Sequence, residues 1–127
     1  MPAHDDFADT LSDLLARALL VPVRTRRMFG GHGLFREGLM FGLVADDTLY
    51  LKADARNRPH FEALGLEPFH YHKGDKRMTI AYWQAPEHIL EDRDEAAQWA
   101  RAAFAAALRA DAAKPLRCRK HQPGWGA

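Results

Sequence analysis

The chain has 127 residues, 47% of them apolar and 28% charged, with 18 Lys and Arg against 17 Asp and Glu. That length and mix suit one soluble globular domain large enough to bury its own core. No apolar run approaches the roughly 18 residues needed to cross a bilayer, so no membrane partner is expected. The opening MPAHDDFADTL is acidic and lacks a basic segment before an apolar block, and the single cysteine, Cys118, has no partner for an internal disulfide. Both point away from an export signal and toward a cytoplasmic location. From Lys114 onward the chain carries Lys114, Arg117, Arg119 and Lys120 and no acid, while the preceding 113 residues hold 14 basic and 17 acidic side chains. The division expected is a folded domain over 1–113 and a flexible basic tail over 114–127.

In chain order, the three- and four-residue spacing of Phe7, Leu11, Leu14, Leu15, Ala18 and Leu19 predicts a helix over 6–19, capped by Asp5 or Asp6 and stopped by Pro22. From Arg24 the texture changes to short strands. GLFREG and LMFGLVADD are joined by a Glu37-Gly38 turn, and Asp46-Asp47 leads into TLYLKAD. Leu39 to Val44 is apolar on both alternating faces, the mark of a central strand covered on two sides. Residues 54–64 read as a short helix ending at Gly65, with Pro59 pushing its regular part to start near Arg58. Two strands in PFHYHKGDKRMTIAYW close through Lys73-Gly74-Asp75. A last helix starts at Asp92 with Glu95 three residues on, and Ala96, Trp99, Ala100, Ala103, Phe104, Ala107 and Leu108 form its apolar stripe. The order is helix, three strands, helix, two strands, helix: an α+β fold with an antiparallel five-stranded sheet and helices packed on it. Phe41, Leu43, Leu51, Ile80, Trp99 and Phe104 are the expected core.

The stretch RRMFGGHGLF, residues 26–35, raises a chemical question. Successive glycine amides can cradle a phosphate, with Arg26 and Arg27 supplying charge. Phosphate loops of high specificity, however, space their glycines differently and lead into a helix, whereas these run G-G-x-G into a strand. The bland reading, a bend or bulge that uses Gly30, Gly31 and Gly33 for positive φ or close backbone approach, is favoured.

Arg27-Met28-Phe29-Gly30-Gly31-x-Gly33, then Gly38-Leu39-Met40-Phe41, the Tyr82-Trp83 pair and the helix through Trp99 together resemble the N-terminal domain of TfoX/Sxy-type competence regulators. The resemblance covers about residues 10–110. It implies a two-layer α-β3-α-β2-α fold similar to secretion chaperones, a role around transcriptional activation of DNA-uptake genes, and no catalytic residues. Two-domain members of that family append a helical C-terminal domain. This chain is expected to lack it, so anything that domain contacts is not carried over.

Other chemistry has weaker support. His70 and His72 share a strand face and would need a third ligand to hold a metal; a wet strand face explains them more simply. Ser12, Thr79 and Cys118 lie in no nucleophile motif, so no enzyme, metal or cofactor is expected. The favoured partner is a transcription-associated protein, with exposed aromatics such as Trp83 as anchors and a homodimer as a further interaction. The alternative is direct nucleic-acid binding through Arg24, Arg26, Arg27 and Arg36, a second cluster of Lys73, Lys76 and Arg77, and the tail residues Arg117, Arg119 and Lys120.

Overall fold

The computed structural model describes residues 3–28 and 30–115. Helix α1 spans Ala3–Leu19, followed by strands β1 (Arg24–Met28), β2 (Gly31–Arg36), β3 (Leu39–Ala45) and β4 (Thr48–Lys52). Helix α2 (Arg58–Ala63), strands β5 (Pro68–Lys73) and β6 (Lys76–Gln84), a 3-10 turn (Glu87–Glu91) and helix α3 (Arg93–Ala112) complete the described elements. The strands form one antiparallel sheet in the order β1-β2-β3-β4-β6-β5.

The sheet has six strands where five were expected. The additional one is β1, Arg-Thr-Arg-Arg-Met, whose first four residues are exposed. As an edge strand with wet faces it shows no alternation of apolar and polar residues, the signal by which strands are read. Helix α1 begins at Ala3, ahead of the start at Asp5 or Asp6 that was expected. The 3-10 turn was also unforeseen.

Other boundaries follow their local chemistry. Glu37 and Gly38, at φ 52° and 81°, close the β2–β3 hairpin, and Asp46 and Asp47, at 50° and 55°, close β3–β4. Two successive positive φ values are the turn whose twist matches a hairpin. Helix α2 starts at Arg58 and ends in a paired 6→1 and 5→2 closure: Leu66 N–H donates to the Phe61 carbonyl and Gly65 N–H to that of Glu62. The Asp92 carboxylate caps α3 by accepting the Asp94 and Glu95 amides at 3.0 and 3.1 Å.

Helix α1 ends by the same kind of closure without a glycine. Val21 N–H reaches the Ala16 carbonyl at 3.3 Å, and Leu20 holds φ 60° with 84% of its surface exposed. A left-handed conformation is costly for any residue with a Cβ. Leu20→Gly is therefore expected to raise stability by about 0.5–1 kcal/mol. A thermal midpoint unchanged or lowered in this variant counts against the strained cap.

The core lies between the sheet and the helices. Leu34, Phe41, Val44, Leu49 and Leu51 from the sheet meet Leu11 and Leu15 of α1, Phe61 of α2, and Ala96, Ala100, Ala103 and Phe104 of α3. The run of alanines on α3 lets that helix sit close over β3 and β4. Register slips between β2 and β3, with Leu34 opposite Gly42 and Phe35 opposite Met40. Phe41 is the extra residue of this bulge, which turns it into the helix layer edge-on to Phe104 at 6.4 Å. Of the expected core, Phe41, Leu43, Leu51 and Phe104 are buried. Ile80 and Trp99 are only half-buried, because Ile80 lies on the sheet face without helices and Trp99 at the flank of α3.

The three glycines of RRMFGGHGLF have three separate causes. Gly30 takes φ 73° in the β1–β2 turn, a Cβ on Gly31 would overlap the Val44 carbonyl oxygen of β3, and Gly33 lies beneath Met28, Phe35 and Met40. The stretch builds a hairpin against the central strand.

Candidate interaction surfaces

Strand alternation sorts the sequence-predicted residues onto two faces. Arg24, Arg26 and Met28 pair with Phe35, Gly33 and Gly31, which places them on the face away from the helices. Lys73 pairs with Lys76 and Tyr71 with Met78, and these share that face with Ile80, Tyr82 and Lys52. Arg27, Arg36, Arg77 and Trp83 alternate onto the helix side. Arg36 lies over the Phe104 ring at 4.3 Å, and Trp83 packs on Phe61 at 6.1 Å. Arg117, Arg119, Lys120, Cys118 and Phe29 lie outside the described residues.

The helix-free face has its own apolar cluster. Leu43, Ala45, Phe69 and Tyr82 are buried there under half-buried Met28, Met40, Tyr50, Tyr71 and Ile80. Tyr50 meets Phe69 edge-on at 5.0 Å, and Phe69 and Tyr71 stack at 23°. Tyr82 donates its hydroxyl to the Met40 carbonyl at 3.0 Å, and burial pushes its pKa far above the usual tyrosine range. Lys52 lies over the Tyr82 ring at 5.2 Å. Desolvation lowers the Lys52 pKa, assisted by Lys114 and opposed by Asp54. A depression of about 750 Å³ opens beside β1, with Arg24, Arg26 and Phe35 in its wall.

Charge is divided by layer, which the near-zero total conceals. The six strands contain eight Lys and Arg (Arg24, Arg26, Arg27, Arg36, Lys52, Lys73, Lys76, Arg77) and no Asp or Glu. The rest of the chain then holds ten basic and seventeen acidic residues. The division into acidic body and basic tail overlooked this, because the strand cations are scattered from Arg24 to Arg77 in the sequence.

A second feature lies among the helices. A groove of about 410 Å³ is lined by His60 and Leu64 at the end of α2, His88 of the 3-10 turn, and Glu95, Trp99 and Ala102 of α3. Its wall is mainly apolar. Leu64 is 54% exposed, and Trp99 packs edge-on to Phe61 at 5.0 Å. His88 Nε2 lies 3.5 Å from the Glu95 carboxylate. Sequence reasoning missed this groove, since it joins α2, the unforeseen turn and α3.

Ser12 is buried, its hydroxyl donating to the Val23 carbonyl at 3.0 Å, which ties α1 to the entry of β1. His70 and His72 share a strand face as expected, and His70 Nδ1 is buried without a hydrogen bond. Among the described residues no three His, Cys, Asp or Glu side chains are placed to hold a metal ion, and no helix is long and apolar enough to cross a membrane.

The profile of the family described as TfoX N-terminal domain matches residues 13–107. The chain is 42% identical over 62 residues to DNA transformation protein TfoX1 of Aliivibrio fischeri, a match covering 49% of this chain and 30% of that protein. It is 30% identical over 92 residues to DNA transformation protein TfoX of Haemophilus influenzae, covering 71% of this chain and 42% of that protein. The matches thus span less than half the length of either relative.

Proposed function

The chain belongs to the TfoX N-terminal domain family, and from that premise we propose that it is a non-enzymatic regulatory domain in DNA transformation, acting by contact with a protein of the transcription machinery. The observation that carries the contact reading is the groove around Leu64 and Trp99. An apolar side chain more than half exposed, beside a tryptophan backed by Phe61, is the composition of an interface anchor. The polar rim of His60, His88 and Glu95 supplies orientation for a bound segment.

Leu64→Glu tests this without disturbing the core, because Leu64 already faces solvent. In cells lacking the native protein, this variant is expected to lower transformation frequency and uptake-gene expression at least tenfold, while the purified protein unfolds at the wild-type midpoint. Wild-type transformation with Leu64→Glu would reject the groove, and wild-type transformation in cells lacking the protein altogether would reject the regulatory role.

A further inference from the structure

The helix-free sheet face has a further property, independent of the protein partner proposed above: the charges on its strands have one sign, with acids only in the turns at its ends. Its strand positions include Arg24, Arg26, Lys52, Lys73 and Lys76 and no acidic residue. Arg24, Arg26, Lys73 and Lys76 are exposed. They stand at opposite margins of the apolar cluster: the arginines on edge strand β1, the lysines at the tip of the β5–β6 hairpin. From β1 to β6 is four inter-strand steps, about 19 Å. Between these margins lie the half-buried rings of Phe35, Tyr50 and Tyr71 and the thioethers of Met40 and Met78.

We propose that this face binds single-stranded nucleic acid, with the cations at its margins holding phosphates and Phe35, Tyr50 and Tyr71 receiving bases. Charge complementarity selects a polyanion, and the rings select one with flat apolar groups between its charges. Open sheets displaying aromatic side chains recognise single strands in this way, because unpaired bases offer their faces for stacking. A duplex keeps those faces occupied, and its major groove admits a helix or a two-stranded ribbon, not a broad sheet. The acidic excess elsewhere confines a polyanion to this side. Asp46, whose charge adds to desolvation in raising the Tyr50 pKa, marks the end of the surface at the β3–β4 turn.

The test is fluorescence anisotropy of the full chain with a labelled fifteen-nucleotide oligothymidylate and with a labelled duplex of mixed sequence. Binding to the single strand is expected to be at least tenfold tighter than to the duplex and to weaken as salt rises. Each phosphate contact contributes about 0.7 to the logarithmic salt slope. Arg24→Gln with Arg26→Gln should therefore reduce that slope by about 1.4, and Lys73→Gln with Lys76→Gln by a similar amount. Tyr71→Leu should weaken binding about tenfold with the slope unchanged, since it removes a stacking ring and no charge. Leu64→Glu, on the other side of the molecule, should bind as the wild type does, which keeps this surface distinct from the groove. No binding in 50 mM salt, equal affinity for the duplex, or slopes unaffected by the arginine and lysine substitutions would each overturn the proposal. Preference for a polyglutamate competitor over the oligonucleotide would assign the face to an acidic protein instead.

Discussion

Gly31→Ala is expected to destabilise the protein by about 3 kcal/mol, against about 1 kcal/mol for Gly30→Ala one position earlier. The two glycines are adjacent, but the physics differs. Gly30 sits in the β1–β2 turn at φ 73° with open space where a Cβ would go, so substitution there meets only the cost of a left-handed backbone. Gly31 has no such strain. A methyl group on it would overlap the Val44 carbonyl oxygen and crowd the Val44 carbonyl carbon and Ala45 Cα at 3.0 and 3.1 Å. These are backbone atoms of β3, the strand that meets both β2 and β4 and carries Phe41, Leu43 and Val44 into the core. A flexible side chain could rotate away from the intruding methyl; the central strand cannot move without disturbing both neighbours. Urea unfolding of the two alanine variants checks the contrast. Equal losses at both positions would show that the close approach between β2 and β3 is relieved cheaply.

The same hairpin shows what the sequence could reveal. The glycine cluster was legible as a corner, because glycines leading into a strand lack the helix N-terminus on which a phosphate loop depends. The Glu37-Gly38 turn, the Asp92 cap and the Gly65 terminus were legible for the same reason: each is decided by residues within a few positions. Leu39 to Val44 announced the central strand by being apolar on both faces. Strand β1 escaped because an arginine-rich edge has no inside to alternate against. Trp99 was assigned to the core on its helical stripe, but that stripe is wider than the contact α3 makes, and its flank is left at the groove.

Long-range assembly was invisible for a different reason. The layering of charge depends on which segments become sheet, and no local pattern states that Arg24 and Lys76 end on one face. Trp83 and Arg77 stand one residue from positions on the helix-free face, yet strand alternation sends them to the other side. The candidate contacts were read as clusters along the chain. The fold divides the clusters at Arg24–Arg36 and Lys73–Arg77 between two faces and makes new groupings across strands.

A long-range ion pair, Asp54 with Arg109, sets the second large effect. Asp54 follows β4, and its carboxylate accepts Arg109 Nε at 2.6 Å and Nη2 at 2.9 Å, together with the Arg56 and Asn57 amides at 3.0 and 3.4 Å. Buried Asn57 answers by accepting the Asp54 amide at 2.7 Å and donating to the Lys52 carbonyl at 2.9 Å. This clamp fastens the β4–α2 connection to the last turns of α3. The Arg109 hydrogen bonds hold the Asp54 carboxyl at about 2, below its ordinary 3.8, with desolvation opposing and the backbone amides assisting. A depressed pKa means that the folded chain binds fewer protons than the unfolded one, so stability rises with pH across this window. The contribution is complete above pH 4–5 and is lost as pH falls toward 2. Because Arg109 is about one-third exposed, solvent screening limits it to about 1–2 kcal/mol. Asp54→Asn should thus cost about that much at pH 7, and most of its deficit relative to wild type should be gone by pH 2, where the native carboxyl is itself about half protonated. Asp54→Ala should cost about 3 kcal/mol at pH 7, since it also strips the two backbone amides of their acceptor. In a double-mutant cycle with Arg109→Met, a coupling of about 1.5 kcal/mol at pH 7 that falls steeply as pH drops toward 2 assigns the effect to this pair. A deficit for Asp54→Asn that stays constant from pH 7 to pH 2 would place the cost of that substitution in packing, with the charge of Asp54 irrelevant to it.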